Sequence, residues 1–306
     1  MRPKRDFTKL LDINKEECRY LLERSAFLKE QRRQGKEFKP LKGKSLAMIF
    51  EKASTRTRIS FEIGMWELGG YAVFLTSQET QIGRGEPVRD TARVLSRYVD
   101  AVMIRTYGQA LVDELARWAT VPLINGLSDL YHPCQILSDL LTIQELKGRL
   151  DNVKIAYIGD GNNVANSWLE ASILLGLRLS VATPEFYGPN ETLLEEAERN
   201  EKFVYTHDPR EAADGADIVY TDVWVSMGQE GEHEERMATF APFRIDGEIM
   251  KEANESAVVM HCLPAHRNKE VSDRIFEANQ EIIFRQAENR LHAQKALLEW
   301  LMSGDK

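Results

Sequence analysis

The sequence predicts an α/β protein of two domains, each built from a parallel sheet flanked by helices. Short β-rich runs alternate with helical stretches along most of the chain, and this alternation is typical of βαβ units. It stops once, at the charged segment 147–152 (KGRLDN), and then starts again. A chain of 306 residues also exceeds the usual size of one hydrophobic core. We therefore expect one domain over 1–147 and a second over 148–280, with a C-terminal helix, 281–306, that packs back on the first.

The elements of the first domain follow from local patterns. Apolar residues recur at helical spacing over 15–34, which predicts a surface-packed N-terminal helix. After it, β-rich runs and helical stretches alternate four times. The predicted strands are 45–50 (SLAMIF), 71–76 (YAVFLT), 101–105 (AVMIR) and 121–125 (VPLIN), and the predicted helices are 55–68, 87–99, 108–119 and 134–147.

The second domain repeats the same rhythm and ends in a long helix. The predicted strands are 154–159, 178–183, 203–206, 217–221 and 257–261, and the predicted helices are 164–175 and 191–200. Because no strand follows the final helix, that helix is free to pack on the first domain. The apolar residues along it are Ile282, Ile283, Leu291, Leu297, Leu298 and Leu301.

Composition excludes several classes of protein. The net charge of −8 at pH 7 argues against a nucleic-acid-binding surface, which needs clustered Lys and Arg. No apolar stretch approaches the length of a membrane span, and the basic N-terminal residues have no apolar run behind them, so we expect neither a membrane helix nor a secretory signal. Three cysteines, Cys18, Cys134 and Cys262, without CxxC spacing are typical of a reducing compartment. The sequence therefore favours a cytoplasmic protein.

A polar and cationic run follows the first predicted strand, at the end of the sheet where ligands of parallel sheets bind. It reads Ser54-Thr55-Arg56-Thr57-Arg58 and opens the next helix. The N–H groups and positive dipole end of a helix N-terminus suit a phosphate dianion, and hydroxyls and guanidinium groups add donors. A simpler interpretation is that Ser54 or Thr55 caps the helix while both arginines are solvated. Two arginines interleaved with three hydroxyls favour the anion site.

Two further elements follow later strands. Arg105 ends the third predicted strand, where a cation would face the same crevice, although a surface ion pair also explains it when it is taken alone. His132-Pro133-Cys134-Gln135 follow the fourth. A His can donate to an oxygen that gains negative charge, and a Gln amide can accept from an NH₂ group. A lone His is usually structural, but its place directly after a strand, with Pro fixing the turn, favours a role in a site.

These motifs resemble those of the aspartate and ornithine carbamoyltransferase family. The run 54–58 followed by Phe61-Glu62 resembles the family's carbamoyl-phosphate motif, and 132–135 its His-Pro-x-Gln element. His261-Cys262-Leu263-Pro264, after the last strand, and Arg290, on the final helix, resemble two more family elements. The resemblance runs from Ser54 to Arg290 in family order, and no departure from it puts activity in doubt.

The resemblance implies a carbamoyl-phosphate site shared between subunits. Gln81, in the polar segment 77–89, matches a position that in the family reaches into a neighbouring subunit's site, which implies a homotrimer and leaves further assembly of trimers open. The implied carbamoyl-phosphate-binding residues are Ser54, Thr55, Arg56, Thr57, Gln81, Arg105, His132, Pro133, Cys134, Gln135, Cys262, Leu263 and Arg290.

The implied acceptor is L-ornithine. Segment 222–228 (DVWVSMG) resembles the loop of the ornithine enzymes, and 159–163 (GDGNN) their Asn-bearing turn. Such a substrate needs a carboxylate for its ammonium groups and amide or hydroxyl partners for its carboxylate. Aspartate would need cations for two carboxylates, which the segment after 217–221 lacks; putrescine and N-acylated ornithine stay open. The implied ornithine-binding residues are Asn163, Asp222, Ser226 and Met227.

The resemblance also implies the reaction. The side-chain amine of ornithine attacks the carbonyl carbon of carbamoyl phosphate, which gives citrulline and phosphate, and the compact length favours arginine biosynthesis. We expect Arg105, His132, Asp222 and Cys262 to be catalytic. No cofactor or metal is expected, because a zinc site at His261, Cys262 and His266 lacks an evident fourth ligand.

Two other classes of function stay open. Segment 158–167 (IGDGNNVANS) follows a strand and opens a helix, as in nicotinamide-dependent oxidoreductases, but Val164 stands where the third glycine belongs. A two-domain protein that closes on a small anion without catalysis is the non-enzymatic alternative.

Overall fold

The computed structural model describes residues 4–76, 85–225 and 233–303, and the chain divides into two compact units. The first unit comprises Met1–Leu141 and Glu288–Lys306, and the second comprises Thr142–Ala287. Both divisions fall inside helices rather than in loops. In the described ranges, no helix has the length and apolar character needed to cross a membrane.

The first unit contains a four-stranded parallel sheet with strand order β2-β1-β3-β4. The strands are β1 (Ser45–Phe50), β2 (Tyr71–Thr76), β3 (Ala101–Arg105) and β4 (Leu123–Leu127). β1 and β3 are central and almost wholly buried, which explains their continuous apolar sequences. The helices that begin in this unit are α1 (Lys15–Arg33), α2 (Thr55–Glu67), α3 (Val88–Tyr98), α4 (Gln109–Trp118) and α5 (Pro133–Lys147).

The second unit contains a five-stranded parallel sheet with strand order β7-β6-β5-β8-β9. The strands are β5 (Lys154–Ile158), β6 (Arg178–Ala182), β7 (Phe203–Thr206), β8 (Ile218–Thr221) and β9 (Val258–His261). The helices are α6 (Asn163–Leu175), α7 (Glu191–Ala197), α8 (Pro209–Ala213), α9 (His233–Phe240), α10 (Gly247–Glu252) and α11 (Asp273–Met302). The predicted fold class, two parallel-sheet domains flanked by helices, is confirmed.

The final helix begins earlier than the sequence pattern indicated, at Asp273 instead of near residue 281. Its first turns are amphipathic: Phe276 and Ile283, seven residues apart, are buried in the core of the second unit, and Ile275 packs against that core. The short helices α8 and α10 were not predicted, since five and six residues are too few to show periodicity. Each is preceded by an N-cap aspartate, Asp208 or Asp246, whose side chain accepts from main-chain N–H groups of the first turn.

The C-terminal part of α11 packs within the first unit, as expected. Lys295 Nζ lies 2.6 Å from a carboxylate oxygen of Glu67 on α2, and Arg24 on α1 makes two bonds of 2.7 Å to Glu299. Leu297 and Leu298 are fully buried. Ion pairs therefore join α11 to both α1 and α2, and apolar side chains of α11 beside them are buried.

His292, on this stretch of α11, makes the stability of the protein sensitive to acid. Burial, with the nearby cations Lys295, Lys29 and Arg32, lowers its pKa from 6.5 to about 3. The unfolded chain binds the proton below pH 6.5 and the folded chain does not, so the stabilisation is complete above pH 6.5 and is lost as the pH falls towards 3. Between pH 7 and pH 5 the loss is about 2 kcal/mol.

We therefore expect His292→Gln, which cannot titrate, to flatten the decline of the unfolding free energy between pH 7 and pH 5 by about 2 kcal/mol. Urea unfolding at both pH values measures this difference. Parallel declines in the variant and the unsubstituted protein would show that His292 does not carry the effect.

Candidate active site

In the first unit, the strand order reverses between β1 and β3, and the predicted anion-binding residues lie at this point. Phe50, at the end of β1, is in register with Arg105, at the end of β3. The turn 51–54 that follows β1 is therefore beside Arg105, whose side chain is buried. Ligands of open parallel sheets bind at such reversals, outside the carboxyl ends of the strands.

The turn after β1 combines a helix cap with a potential anion site. Ser54 is the N-cap of α2, and its hydroxyl accepts from the Thr57 N–H at 3.2 Å. The capping interpretation is therefore correct for Ser54. The N–H groups of the first helical turn have no acceptor within a helix, so Thr55 and Arg56 can present theirs to an anion.

The two arginines of this turn differ in their surroundings. Arg58 donates to Glu62 at 3.0 Å and lies 3.6 Å from the ring centre of Phe74, so it is held on the exposed face of α2. Arg56 is half-buried and acts electrostatically on His132. Of the two, Arg56 belongs to the cluster that contains the other predicted residues.

Arg290, on α11, joins two of the sequence elements. Its Nη1 donates to Gln135 Oε1 at 2.7 Å and its Nη2 donates to Thr57 Oγ1 at 3.2 Å. Gln135 also donates to Asp139 at 2.8 Å, so both ends of its amide are engaged. An NH₂ group of a ligand would use the second lone pair of Gln135 Oε1.

His132 lies in this cationic cluster. Burial, together with the charges of Arg290, Arg105 and Arg56, holds its pKa well below 6.5. The imidazole is therefore neutral near pH 7 and carries one N–H, which it can donate to an oxygen that becomes negative. The structure thus brings Thr57, Gln135 and Arg290 into contact and places His132 within the field of the cluster's arginines.

Pro133 and Cys134, which follow His132, each have a structural role at the start of α5. Pro133 is the first residue of α5, where a missing N–H costs nothing. The Cys134 thiol donates to the Asn125 carbonyl oxygen at 3.4 Å, and burial raises its pKa to about 12. At neutral pH, Cys134 is therefore a thiol and not a reactive thiolate.

In the second unit, the strand order reverses between β5 and β8, and Asp222 follows β8 at that point. Its buried carboxylate accepts three bonds of 2.8 Å, from Asn162 Nδ2, from the Cys262 thiol and from the Val223 N–H. Cys262 comes directly after β9, whose His261 is in register with Thr221 of β8. The structure therefore brings the predicted residues Asp222 and Cys262 together.

The amide that contacts Asp222 belongs to Asn162, which the sequence interpretation missed in favour of Asn163. Asn162 is the N-cap of α6, and its Oδ1 accepts from Val164 at 2.9 Å while its Nδ2 reaches Asp222. Asn163 is the first residue of the helix, with a half-buried side chain, and its role stays a prediction. Because a residue that precedes a helix is often its cap, the Asn-Asn pair contained a usable signal.

Arg236 is a second residue that the sequence interpretation missed. It is buried on α9, with Nη2 2.7 Å from an Asp160 oxygen, and its Nε donates to the Trp224 carbonyl oxygen at 2.7 Å. It therefore holds the turn after β5 against the segment after β8. α9 has little apolar periodicity, so nothing in the sequence pattern indicated this contact.

The glycines of the turn after β5 have a packing explanation. A Cβ on Gly161 would lie 2.2 Å from the carbonyl carbon of Gly188, so only glycine allows this approach. Gly159 has φ +148°, which side chains rarely permit. Neither glycine therefore needs a dinucleotide to explain it, and the oxidoreductase alternative loses its main support.

The donor atoms of Asp222, His261 and Cys262 lie within 4.8 Å of one another, which is compatible with a metal ion. These atoms already form hydrogen bonds with one another and with the main chain. The Cys262 thiol donates to Asp222, and His261 Nδ1 accepts from the Leu263 N–H at 2.9 Å. We therefore assign no metal to this cluster. Leu263 has φ +59°, and the Leu263–Pro264 peptide bond is cis.

Three predicted residues, Gln81, Ser226 and Met227, lie outside the described residues. Their assignments stay predictions.

Two family models match the chain. The carbamoyl-P binding domain of aspartate/ornithine carbamoyltransferase matches residues 5–145, and the Asp/Orn binding domain of the same family matches 151–301. The ornithine carbamoyltransferase of Anoxybacillus flavithermus is 54% identical over 303 residues, which cover 97% of this chain and 96% of that protein. The ornithine carbamoyltransferase of Syntrophotalea carbinolica is 50% identical over 301 residues, with 98% and 100% covered.

Solved structures agree with these relatives. The ornithine carbamoyltransferase from Pyrococcus furiosus has a TM-score of 0.95 at 51% identity and covers 99% of this chain and 98% of its own. The anabolic ornithine carbamoyltransferase from Campylobacter jejuni has a TM-score of 0.91 at 44% identity, with 97% and 98% covered. Sequence, fold and site residues lead to one conclusion: the chain belongs to the aspartate/ornithine carbamoyltransferase family.

Proposed function

We propose that this protein transfers the carbamoyl group of carbamoyl phosphate to the side-chain amine of L-ornithine, giving L-citrulline and phosphate. The observation that carries the choice of acceptor is the buried Asp222 carboxylate, whose side-chain partners, Asn162 and Cys262, are uncharged. A buried anion whose side-chain partners are uncharged suits an ammonium group and opposes a second carboxylate. Similarity to ornithine carbamoyltransferases over nearly the whole chain supports ornithine over aspartate, putrescine or N-acylated ornithine.

The first unit binds carbamoyl phosphate in this proposal. The first-turn N–H groups of α2 and the guanidinium of Arg56 hold the phosphate. Arg105 and the neutral His132 donate to the carbonyl oxygen, whose negative charge grows as the amine attacks; one such donor is typically worth about 3–4 kcal/mol. Thr57, Gln135 and Arg290 complete the donor set, with Pro133 and Cys134 shaping the start of α5. Gln81 completes it from a neighbouring subunit.

The second unit binds ornithine. Asp222 and Cys262 orient the attacking amine, and Asn163, Ser226 and Met227 contact the rest of the amino acid. The substrate amine is itself the nucleophile, so the protein contributes position and charge: two substrates held in attack geometry lower the barrier by roughly 7–11 kcal/mol. Leu263, beside Cys262, lines the carbamoyl group. The chemistry requires no cofactor and no metal.

Release of phosphate from carbamoyl phosphate, together with formation of the carbamoylated amine, which is citrulline when the acceptor is ornithine, tests the proposal directly. Ornithine, aspartate, putrescine and N-acetylornithine are compared as acceptors at equal concentration. Turnover with ornithine alone is expected. Turnover only with another amine would overturn the acceptor, and the absence of any product would overturn the function.

Arg56 and Arg58 form a matched pair for testing the phosphate site. We expect Arg56→Gln to raise the KM for carbamoyl phosphate about 10- to 100-fold, because a charge-assisted bond to the phosphate is worth about 1.5–3 kcal/mol. Arg58 is two residues further along α2, where Glu62 and Phe74 hold its side chain, so Arg58→Gln should leave the KM unchanged. Steady-state kinetics at saturating ornithine measure both; equal effects would contradict the assignment of Arg56.

A homotrimer is part of the proposal, and an exposed apolar face on the first unit supports it. Ile59, Ile63 and Trp66 lie on one side of α2, and Trp66 is 71% exposed. Tyr71, at the start of the edge strand β2, is 69% exposed. Apolar faces of this kind usually mark a subunit contact. Light scattering tests this: a mass three times that of the chain supports the trimer, and a monomer contradicts it.

We also propose that the enzyme acts in the cytoplasm, in arginine biosynthesis. The three cysteines Cys18, Cys134 and Cys262 are all free thiols, as is usual in a reducing compartment. The Campylobacter jejuni relative is named as an anabolic enzyme, which supports the biosynthetic direction. Expression in a strain that lacks this activity and requires arginine or citrulline tests the direction, with growth on ornithine as the result that supports it.

A further inference from the structure

The loop that carries Cys262 and Leu263 is held by a buried histidine that the proposed mechanism does not use. His261 ends β9, and its side chain is fully buried in the second unit. Its Nδ1 accepts from the Leu263 N–H at 2.9 Å. An Nδ1 that accepts carries no proton, so these partners assign a neutral ring with its hydrogen on Nε2.

Glu270 faces the other nitrogen of the ring. Its Oε1 lies 3.3 Å from His261 Nε2, and the same oxygen accepts from the His266 N–H. Glu270 is fully buried. A buried carboxylate on the Nε2 side favours the tautomer with hydrogen on Nε2 and disfavours the one with hydrogen on Nδ1, so it keeps Nδ1 available as an acceptor.

The Leu263 N–H needs this acceptor because of its conformation. At φ +59°, Leu263 lies in the left-handed region, which is unfavourable for a residue other than glycine. Residues stay in this region only where their surroundings fix them. The His261 main chain is fixed in turn, since its N–H donates to Gln286 at 2.9 Å and Gln286 donates to Tyr220 at 3.1 Å.

We propose that His261 is a positioning residue for the transfer reaction, and that Glu270 sets its tautomer. The neutral ring holds Leu263 in its left-handed conformation, which keeps the Cys262 thiol 2.8 Å from Asp222 and both residues in place for the substrates. The inference rests on the proposed function for its kinetic consequence, but its structural part is independent of that function.

The test compares His261→Asn with His261→Leu. The Asn oxygen takes the place of Nδ1 and still accepts from Leu263, whereas Leu has similar bulk and accepts nothing. Both variants lose the contact to Glu270, so Asn is the matched control for a general loss of packing. We expect Leu to lower kcat about 10²-fold, as a displacement of about 1 Å does, and Asn to retain most of it. Inhibition by inorganic phosphate, which binds the first unit, should be unchanged in both.

Alkylation of Cys262 by iodoacetamide gives a second readout without turnover. Cys18 and Cys134 are buried with thiol pKa values of about 12, so Cys262 dominates the reaction. Its rate should rise in His261→Leu and not in His261→Asn. Equal alkylation rates and equal kcat in the two variants would overturn the inference. Alkylation that separates the variants in a protein that makes no citrulline would instead overturn the proposed function.

The tautomer is read in the unsubstituted protein, and the folded His261→Asn variant is needed only to assign the signal. The chain has six histidines, and ¹⁵N-labelled His261 is identified by the signal missing from His261→Asn. We expect a neutral ring protonated at Nε2. A ring protonated at Nδ1 near neutral pH would overturn the inference, because it could not accept from Leu263.

Discussion

Asp222→Asn is expected to lower kcat/KM for ornithine about 10³-fold. The amide loses the charge-assisted bond to the substrate ammonium, worth about 1.5–3 kcal/mol. It also turns an NH₂ group towards groups that are themselves donors, since Asn162, Cys262 and Val223 all donate to this carboxylate at 2.8 Å. An unsatisfied buried donor costs about 1–3 kcal/mol more. Together these losses amount to about 4 kcal/mol, or three orders of magnitude.

Asp217→Asn is the matched control for this experiment. Asp217 precedes the same strand, β8, and accepts from the Lys154 N–H at 2.9 Å and from Asn254 at 2.8 Å. Loss of the Asp217 carboxylate therefore perturbs hydrogen bonds of the same kind at the opposite end of β8. Steady-state kinetics with varied ornithine, combined with urea unfolding, separate the two aspartates. If both variants lose kcat/KM in proportion to their loss of stability, Asp222 has no specific role in binding the amine.

Arg105→Gln is expected to lower kcat about 10²- to 10³-fold, the usual cost of removing one preorganised donor to a developing oxyanion. It also removes one of the cations that hold the pKa of His132 below 6.5. Because a neighbouring cation disfavours a protonated imidazole, its removal raises that pKa. If the neutral ring is the donor, the acid limb of the kcat profile moves to higher pH in the variant.

Arg93→Gln controls for the loss of an arginine in the same unit. Arg93 lies on α3, 3.1 Å from Asp90 and 4.9 Å from the ring centre of Trp118, on an exposed face. We expect its kcat and pH profile to match those of the unsubstituted protein. A kcat for Arg105→Gln within twofold of the control would remove Arg105 from the proposed mechanism.

The strands could be predicted from the sequence because a strand that is buried on both faces has a continuous apolar run. β1 and β3 are unbroken apolar runs, and each is followed by the polar residues that form the candidate site. Arg290 is different. Its contact with Thr57 spans 233 residues of sequence, and no local pattern encodes such a distance. Only the family resemblance pointed to it.

The residues that were missed depend on tertiary structure. Asn162 and Asn163 are chemically identical neighbours, and only the position of the helix start decides which one caps α6 and reaches Asp222. Gly161 lies in a segment whose sequence resembles a nucleotide-binding turn. Glycine is required there because the main chain of Gly188, in another loop, leaves no room for a Cβ. Arg236 is on a helix too short and too polar to show a period. In each case the deciding contact lies far away in the sequence.

The route of α11 has a consequence for biosynthesis of the chain itself. The sheet of the first unit and most of its candidate site are complete once residue 141 has left the ribosome, but Arg290 arrives about 150 residues later, on the last helix. At about 5–20 residues per second, the delay is roughly 8 to 30 seconds. Until then Thr57 and Gln135 lack their hydrogen bonds to Arg290. The first unit can therefore finish folding only after the second unit has been translated.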